Sequence, residues 1–299
     1  MPAQQTVVER IDPIAEGVVS LVLRAAEGPL AAWSPGSHID LALPNWLTRQ
    51  YSLCGDPADR TRYRVAVRHE RLSRGGSEYV HRFLRPGRPL FVSPPRNHFP
   101  LIDAPAYLFV AGGIGITPFL SMMDATSASL LYVGRTLATM PFAGQLRARY
   151  GDRVRIVATE RDGRPDLRQL AAGLAPGTLV YCCGPAALTD EVQAVFPADQ
   201  VRLERFRPQP KEHLPNTAFE VLCARSERTV RVPAERSLLD ALADEGYQVA
   251  SGCREGVCGG CELRVLAGEP EHRDDIGAPA GRMYACVSRA LGQRLVLDL

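Results

Sequence analysis

Three of the chain's eight cysteines crowd into SGCREGVCGGC, residues 251–261. Cys253, Cys258 and Cys261 are spaced Cys-x4-Cys-x2-Cys, and Cys286, 25 positions on, is the only cysteine after them. Four thiolates in this pattern are the plant-type [2Fe–2S] ligand set, whose chemistry is the carriage of one electron at a time. Gly252, Gly256, Gly259 and Gly260 let the loop reach φ > 0 and turn backbone N–H groups toward the sulfurs. A structural zinc site is the alternative, but such sites pair their ligands. Here Cys258/Cys261 makes one half, and downstream stands only the lone His272. A disulfide framework suits a small secreted chain better than one expected in a reducing compartment.

Two further turns have the composition of nucleotide sites. AGGIGITP, residues 111–118, follows an apolar run and precedes a helix-like one. Glycines there admit a pyrophosphate close to backbone N–H groups. Thr117 is expected to cap the helix, with Pro118 in its first turn. The motif is not G-x-G-x-x-G, and a tight strand-to-helix turn without a ligand remains its plain structural reading. YCCGP, residues 181–185, ends a later strand at the same sheet edge, where open α/β sheets bind ligands. Cys183 is expected to face a reacting group there and Cys182 the opposite side, although buried cysteine needs no functional reason. Upstream, RQYSL places Arg49 and Tyr51 on one face of a strand, with Ser52 next. A guanidinium clamps phosphate and a tyrosine ring stacks on a flat heterocycle. SRGGS adds Gly75, Gly76 and Ser77 at a helix start, a second anion site. Each of these alone is also a common surface strand or turn.

The elements that must hold these residues fall into three segments. Residues 1–103 carry short apolar or alternating runs separated by Pro, Gly and Asp, which predicts an antiparallel β-barrel with one helix over Ser77–Leu84. Residues 104–206 alternate strand and helix, the pattern of a doubly wound parallel sheet whose last strand is VRLERF. Residues 207–215, RPQPKEHLP, read as a semi-rigid linker. Residues 216–299 give two strands, a helix, the cysteine loop and further strands, YACVSRA among them, fitting an α+β β-grasp module.

At 299 residues with 45% hydrophobic and 23% charged content, the chain reads as an ordinary globular protein of two or three domains. A net charge of +2 gives no reason to expect nucleic acid as a partner. From residue 216 on, 10 arginines face 13 acidic residues, so a mildly acidic module trails a basic body. Lys211 is the only lysine, which excludes Schiff-base chemistry and a Walker A loop in the enzyme body. MPAQQTVVERID lacks a charged start followed by an apolar run, and Ala106–Met123 is broken by Gly112, Gly113, Gly115 and Pro118. The expectation is a cytoplasmic protein without a membrane span.

In order, RxYS, GGS, GGxGxxP, CGP and Cys-x4-Cys-x2-Cys…Cys, the chain resembles the phthalate dioxygenase reductase family over essentially its full length. These are ferredoxin–NADP reductase-like flavoproteins with a C-terminal ferredoxin domain, and the vanillate O-demethylase reductases are the nearest subgroup. The resemblance implies that Arg49, Tyr51 and Ser52 hold FMN, with Ala66, Val67 and Arg68 along its ring and Gly75, Gly76 and Ser77 on its phosphate. It places NAD(P)H on Gly112, Gly113, Gly115, Thr117, Pro118, Cys183, Gly184 and Pro185, and the aromatic Phe206 beside the flavin. Cys183, Ser52 and Phe206 would then border the reacting centre. The resemblance favours NADH, but Arg135 and Thr136 depart from the pattern: an arginine there can meet a 2′-phosphate, so the preference over NADPH is only partial.

The implied function is that of an electron-transfer component, carrying electrons from NADH through FMN and the [2Fe–2S] cluster to a terminal Rieske-type oxygenase of an aromatic-acid demethylase or dioxygenase. That partner would select the organic substrate. An FAD-containing reductase serving another acceptor, and a zinc-stabilised binding protein without catalysis, are the competing readings.

Overall fold

The computed structural model describes residues 3–299, which form two compact units meeting at Arg205/Phe206. The first unit opens with strands β1 (Gln4–Ala15), β2 (Val18–Ala25), β3 (His38–Ala42), β4 (Thr48–Ser52) and β5 (Arg62–Arg68), helix α1 (Gly76–Arg82) and strand β6 (Pro89–Val92). The six strands pair antiparallel in the order β4-β3-β6-β1-β2-β5. Alternation puts Ile39, Leu41, Val65 and Val67 on one face, around a core with Leu21, Leu23 and Tyr63. The Cys54 N–H donates to the Arg64 carbonyl at 2.9 Å, tying the segment after β4 to β5 and curling the sheet into a barrel. α1 begins one residue earlier than expected and ends two earlier. Phe83 and Leu84 N–H both turn back to the Tyr79 carbonyl, and Pro86 bars continuation.

The same unit continues with β7 (Ala106–Gly112), α2 (Thr117–Ala125), β8 (Ser129–Gly134), α3 (Ala143–Tyr150), β9 (Val154–Ala158), α4 (Thr159–Asp162), α5 (Leu167–Ala172), β10 (Thr178–Cys183), α6 (Ala186–Val195) and β11 (Val201–Glu204). Five parallel strands run in the order β11-β10-β7-β8-β9, with apolar cores on both faces. Strand order reverses between β7 and β10, so their carboxyl ends border the crevice where such sheets take ligands. The last strand stops at Glu204, short of the expected VRLERF. Its only partner, β10, ends opposite at Cys183 and turns away through Gly184 and Pro185.

The second unit holds β12 (Phe219–Cys223), β13 (Arg228–Val232), α7 (Leu238–Asp244), β14 (Glu262–Ala267), β15 (Pro270–Glu271), β16 (Arg282–Tyr284), β17 (Arg289–Ala290) and β18 (Arg294–Leu297). β13-β12-β18-β14-β16 form a mixed sheet, parallel only between β12 and β18, while β15 and β17 make a small ribbon. Ser237 caps α7 by accepting the Asp240 N–H at 3.1 Å, and the helix buries Leu238, Leu239, Ala241 and Leu242 against the sheet. YACVSRA is not one strand: β16 ends at Tyr284 and β17 starts at Arg289, leaving Cys286 on the turn between them.

Residues 207–215 are not a free linker either. The Gln209 N–H is accepted by Asp275 and the Leu214 N–H by Glu271, so the segment is laced to the second unit. Among the described residues no helix is long and apolar enough to cross a membrane.

Candidate functional site

On β4, Arg49 and Tyr51 lie opposite the core residues Leu41 and Ile39, whereas Ser52 lies opposite His38 on the other face. Burial pushes the Tyr51 hydroxyl up to about 12, against the pull of the Arg49 charge. Arg49 Nη1 donates to the Thr48 carbonyl at 2.8 Å and Nη2 to the Arg74 carbonyl at 3.1 Å, which lays the side chain across the SRGGS turn. Gly76 is needed there, because a Cβ would stand 2.7 Å from Arg49 Cγ and 2.8 Å from Nε. Gly75 holds φ +90° and starts α1 without a side-chain cap. Ser77 Oγ accepts the Glu70 N–H at 3.1 Å and donates to Ser73 Oγ at 3.1 Å, so this hydroxyl braces the loop. Ser52 Oγ, by contrast, is buried with no hydrogen-bond partner among the described residues. An orphaned buried hydroxyl costs about 1–3 kcal/mol unless something bonds to it. The Arg49 guanidinium beside the Gly75–Gly76 turn has the chemistry to take a flavin phosphate, and Ser52, on the opposite face of β4, offers an unsatisfied hydroxyl to a bound group.

β5 carries Ala66 into the core shared with the parallel sheet and Val67 into the barrel core. Arg68 ends the strand, donating to Glu70 Oε1 from Nε at 2.9 Å and from Nη2 at 2.6 Å. Its Nη1 lies 4.0 Å from the position a Gly113 Cβ would take. β5 and the glycine turn therefore meet within the first unit.

The glycines of that turn do different work. Gly113 has φ +55° and open space around it. A Cβ on Gly112 would lie 2.6 Å from Pro185 Cδ, and one on Gly115 would lie 2.3 Å from the Cys183 carbonyl oxygen. One on Gly184 would lie 3.0 Å from Gly112 Cα. AGGIG and CGP are thus packed backbone to backbone. Thr117 does not cap α2. The cap position belongs to Ile116, and Thr117, already helical and buried, donates its hydroxyl to the Ile114 carbonyl at 3.1 Å. Pro118 sits in the first turn.

Cys183 and Cys182 point into the two opposite cores of the sheet. The Cys183 thiol donates toward Glu204 Oε2 at 3.8 Å. Burial pushes the Glu204 carboxyl up to about 8, and burial with that carboxyl beside it lifts the Cys183 thiol well above its ordinary range. Glu204 was not singled out from sequence, because only the β10–β11 register brings it opposite Cys183. Phe206, expected at the end of the last strand, lies two residues beyond it, 42% exposed, at the start of the second unit. After β8, Arg135 Nε pairs with Glu160 Oε1 at 2.5 Å, and Thr136 and Thr139 hydroxyls bond to each other at 3.2 Å.

In the second unit Cys253, Cys258, Cys261 and Cys286 are all free, the first three are buried, and the four thiols lie close enough to shift one another's titration. Backbone N–H groups converge on the sulfurs: Glu255 on Cys253 at 3.3 Å, Gly260 on Cys258 at 3.5 Å and Cys286 on Cys261 at 3.4 Å. Such donors stabilise thiolates and tune the metal they hold. Four thiols in the Cys-x4-Cys-x2-Cys…Cys spacing have the chemistry of the ligand set of a centre with two irons.

Residues 221–291 match the model of the 2Fe-2S iron-sulfur cluster binding domain. The chain is 41% identical over 313 residues to phenoxybenzoate dioxygenase subunit beta of Ectopseudomonas oleovorans, covering 97% of this chain and 96% of that one. Among solved structures it matches an intact type IV self-sufficient cytochrome P450 monooxygenase with a TM-score of 0.91 at 40% identity, over 99% of this chain but 41% of the longer one. It also matches phthalate dioxygenase reductase, described as a modular structure for electron transfer from pyridine nucleotides to [2Fe–2S], with a TM-score of 0.73 at 34% identity over 99% of this chain and 98% of that one. By full-length similarity and by the site residues above, the chain belongs to the phthalate dioxygenase reductase family.

Proposed function

We propose that this chain is the reductase component of a Rieske-type aromatic oxygenase or O-demethylase system, transferring electrons from NADH through FMN and a [2Fe–2S] cluster to the terminal oxygenase. The observation that carries this reading is the set of four free cysteines, Cys253, Cys258, Cys261 and Cys286, with backbone N–H groups directed at the sulfurs of the first three. Bound flavin supplies the exchange of a two-electron donor for one-electron steps, and the cluster supplies one-electron carriage. The chain's own part is positioning. In this reading residues 1–103 form the FMN domain, 104–206 the NADH domain and 216–299 the ferredoxin domain.

Arg49 and the Gly75–Gly76 turn would take the flavin phosphate, with Tyr51 at its ring and Ser52 supplying the otherwise unpartnered hydroxyl. Ala66, Val67 and Arg68 would border the ring, and Phe206 would cover it. NADH would lie across Gly112–Pro118 and Cys183–Pro185, its nicotinamide near Cys183 and Glu204. Glu160 beside Arg135 puts negative charge where a 2′-phosphate would arrive, which favours NADH over NADPH. The relatives' printed activities include a phenoxybenzoate dioxygenase, a heme-dependent oxidative N-demethylase and a phthalate 4,5-dioxygenase, so the acceptor rather than this chain would set the organic substrate.

The test compares NADH-dependent cytochrome c reduction by the native chain and Cys258→Ser. Native rates in the variant would remove the cluster from the electron path. Flavin released from the protein should be FMN, and finding FAD would support the other redox reading.

A further inference from the structure

Lys211 is the sole lysine among 35 basic residues, and both partners of its ammonium lie on one two-residue step. Nζ pairs with the Asp275 carboxylate and donates to the Asp274 carbonyl at 2.8 Å. The Asp275 side chain is only 6% exposed, and its second oxygen accepts the Gln209 N–H at 2.7 Å. A compact ammonium with three donors suits two acceptors set this close, where a flat guanidinium fork fits a single carboxylate.

The same step seats the cysteine loop. The Asp275 N–H donates to the Gly256 carbonyl at 3.0 Å. Gly256 holds φ +72°, and a Cβ there would stand 3.0 Å from Asp274 Cα and 2.9 Å from Val287 Cγ2. Gly256, inside the Cys253–Cys258 loop, is thus packed against both residues 274–275 and Val287, the neighbour of Cys286. Arg273 adds a second anchor for the same incoming segment, donating to the Leu214 carbonyl at 2.9 Å and to Asn216 Oδ1 at 2.7 Å.

We propose that Lys211 is a positioning residue for electron transfer: it locks the incoming segment 209–211 to the Asp274–Asp275 step and so holds that segment and the cysteine loop as one piece. The strap itself is read from geometry, while its role in electron transfer rests on the proposed function.

The experiment uses full-length, cofactor-loaded protein and two variants, Lys211→Met and Asp275→Asn. The second keeps the backbone bond to Gly256 and the lysine itself. Cleavage after Glu212 by a glutamate-specific protease should accelerate about tenfold in both, the scale of losing one charge-assisted hydrogen bond. In Asp275→Asn, acylation of Lys211 by an amine-reactive ester, followed by mass, should rise similarly. Stopped-flow flavin reduction by NADH should stay at the native rate, while the following flavin-to-cluster step slows several-fold. Unchanged cleavage and acylation would overturn the strap. Faster cleavage with a native flavin-to-cluster rate would overturn its positioning role. A native protein whose flavin is not reduced by NADH would instead sink the proposed function, and the electron-transfer role with it.

Discussion

Replacing Gly115 with alanine tests the proposal that NADH is held where two turns pack backbone to backbone. The new Cβ would lie 2.3 Å from the Cys183 carbonyl oxygen and 2.6 Å from its carbonyl carbon. That is about 1 Å inside ordinary contact, and a backbone atom cannot rotate out of the way. Overpacking of this kind costs ~1–3 kcal/mol. In a unit of some two hundred residues each kcal/mol moves the melting temperature by about 2–4 °C, so a fall of roughly 2–12 °C is expected. The relief requires the AGGIG turn and the Cys183–Pro185 turn to part by about 1 Å, and a displacement of that size near reacting groups costs roughly hundredfold in rate. The assay is stopped-flow flavin reduction by NADH alongside a thermal melt. Gly113→Asn is the control. Gly113 has φ +55° and nothing nearer than Arg68 Nη1 at 4.0 Å, and asparagine tolerates that backbone, so the cost should be about 1 kcal/mol. Native melting and rate in Gly115→Ala would refute the reasoning, as would an equal loss of melting temperature in Gly113→Asn.

Glu204 predicts a pH dependence. Its carboxyl stays protonated in the folded chain up to about 8 against 4.5 for the free group, so the folded state binds the extra proton across that window. Stability attributable to this group is greatest below 4.5, falls as pH rises toward 8 by at most ~1.4 kcal/mol per unit, and levels above it. Denaturant melts of Glu204→Gln should show that slope flattened, and an unchanged slope would count against a buried protonated carboxyl. Ser52→Ala should have opposite signs in two states, stabilising flavin-free protein by up to about 1 kcal/mol and weakening flavin binding, since the hydroxyl is orphaned without ligand. Melts with and without flavin check this. Gly76→Ala should push the Arg49 stem aside and weaken flavin affinity about tenfold, measured by fluorescence titration, with little change in the flavin-free melt.

Spacing and composition carried the local chemistry. Cys-x4-Cys-x2-Cys, the two glycine turns and RQYSL are readable in one dimension because each depends on residues a few positions apart, acting through backbone conformation that side-chain type controls. Strand periodicity and glycine punctuation likewise carried the fold class, since one buried face per element leaves its mark on every second residue. What stayed illegible depends on which elements become neighbours. Glu204 looks like an exposed charge in VRLERF until parallel pairing sets it opposite Cys183. Gly115 looks like a phosphate-binding glycine until the Cys183 carbonyl is found against it. Thr117, assigned by type to capping, spends its hydroxyl on the Ile114 carbonyl, a partner that only the folded turn supplies. RPQPKEHLP has the composition of a semi-rigid linker, and only the acceptors of Glu271 and Asp275, some sixty residues away in sequence, show where its backbone is tied. Local conformation follows from neighbours along the chain. Burial, hydrogen-bond satisfaction and the pKa of a carboxyl follow from neighbours in space, and those exist only once the sheets have formed.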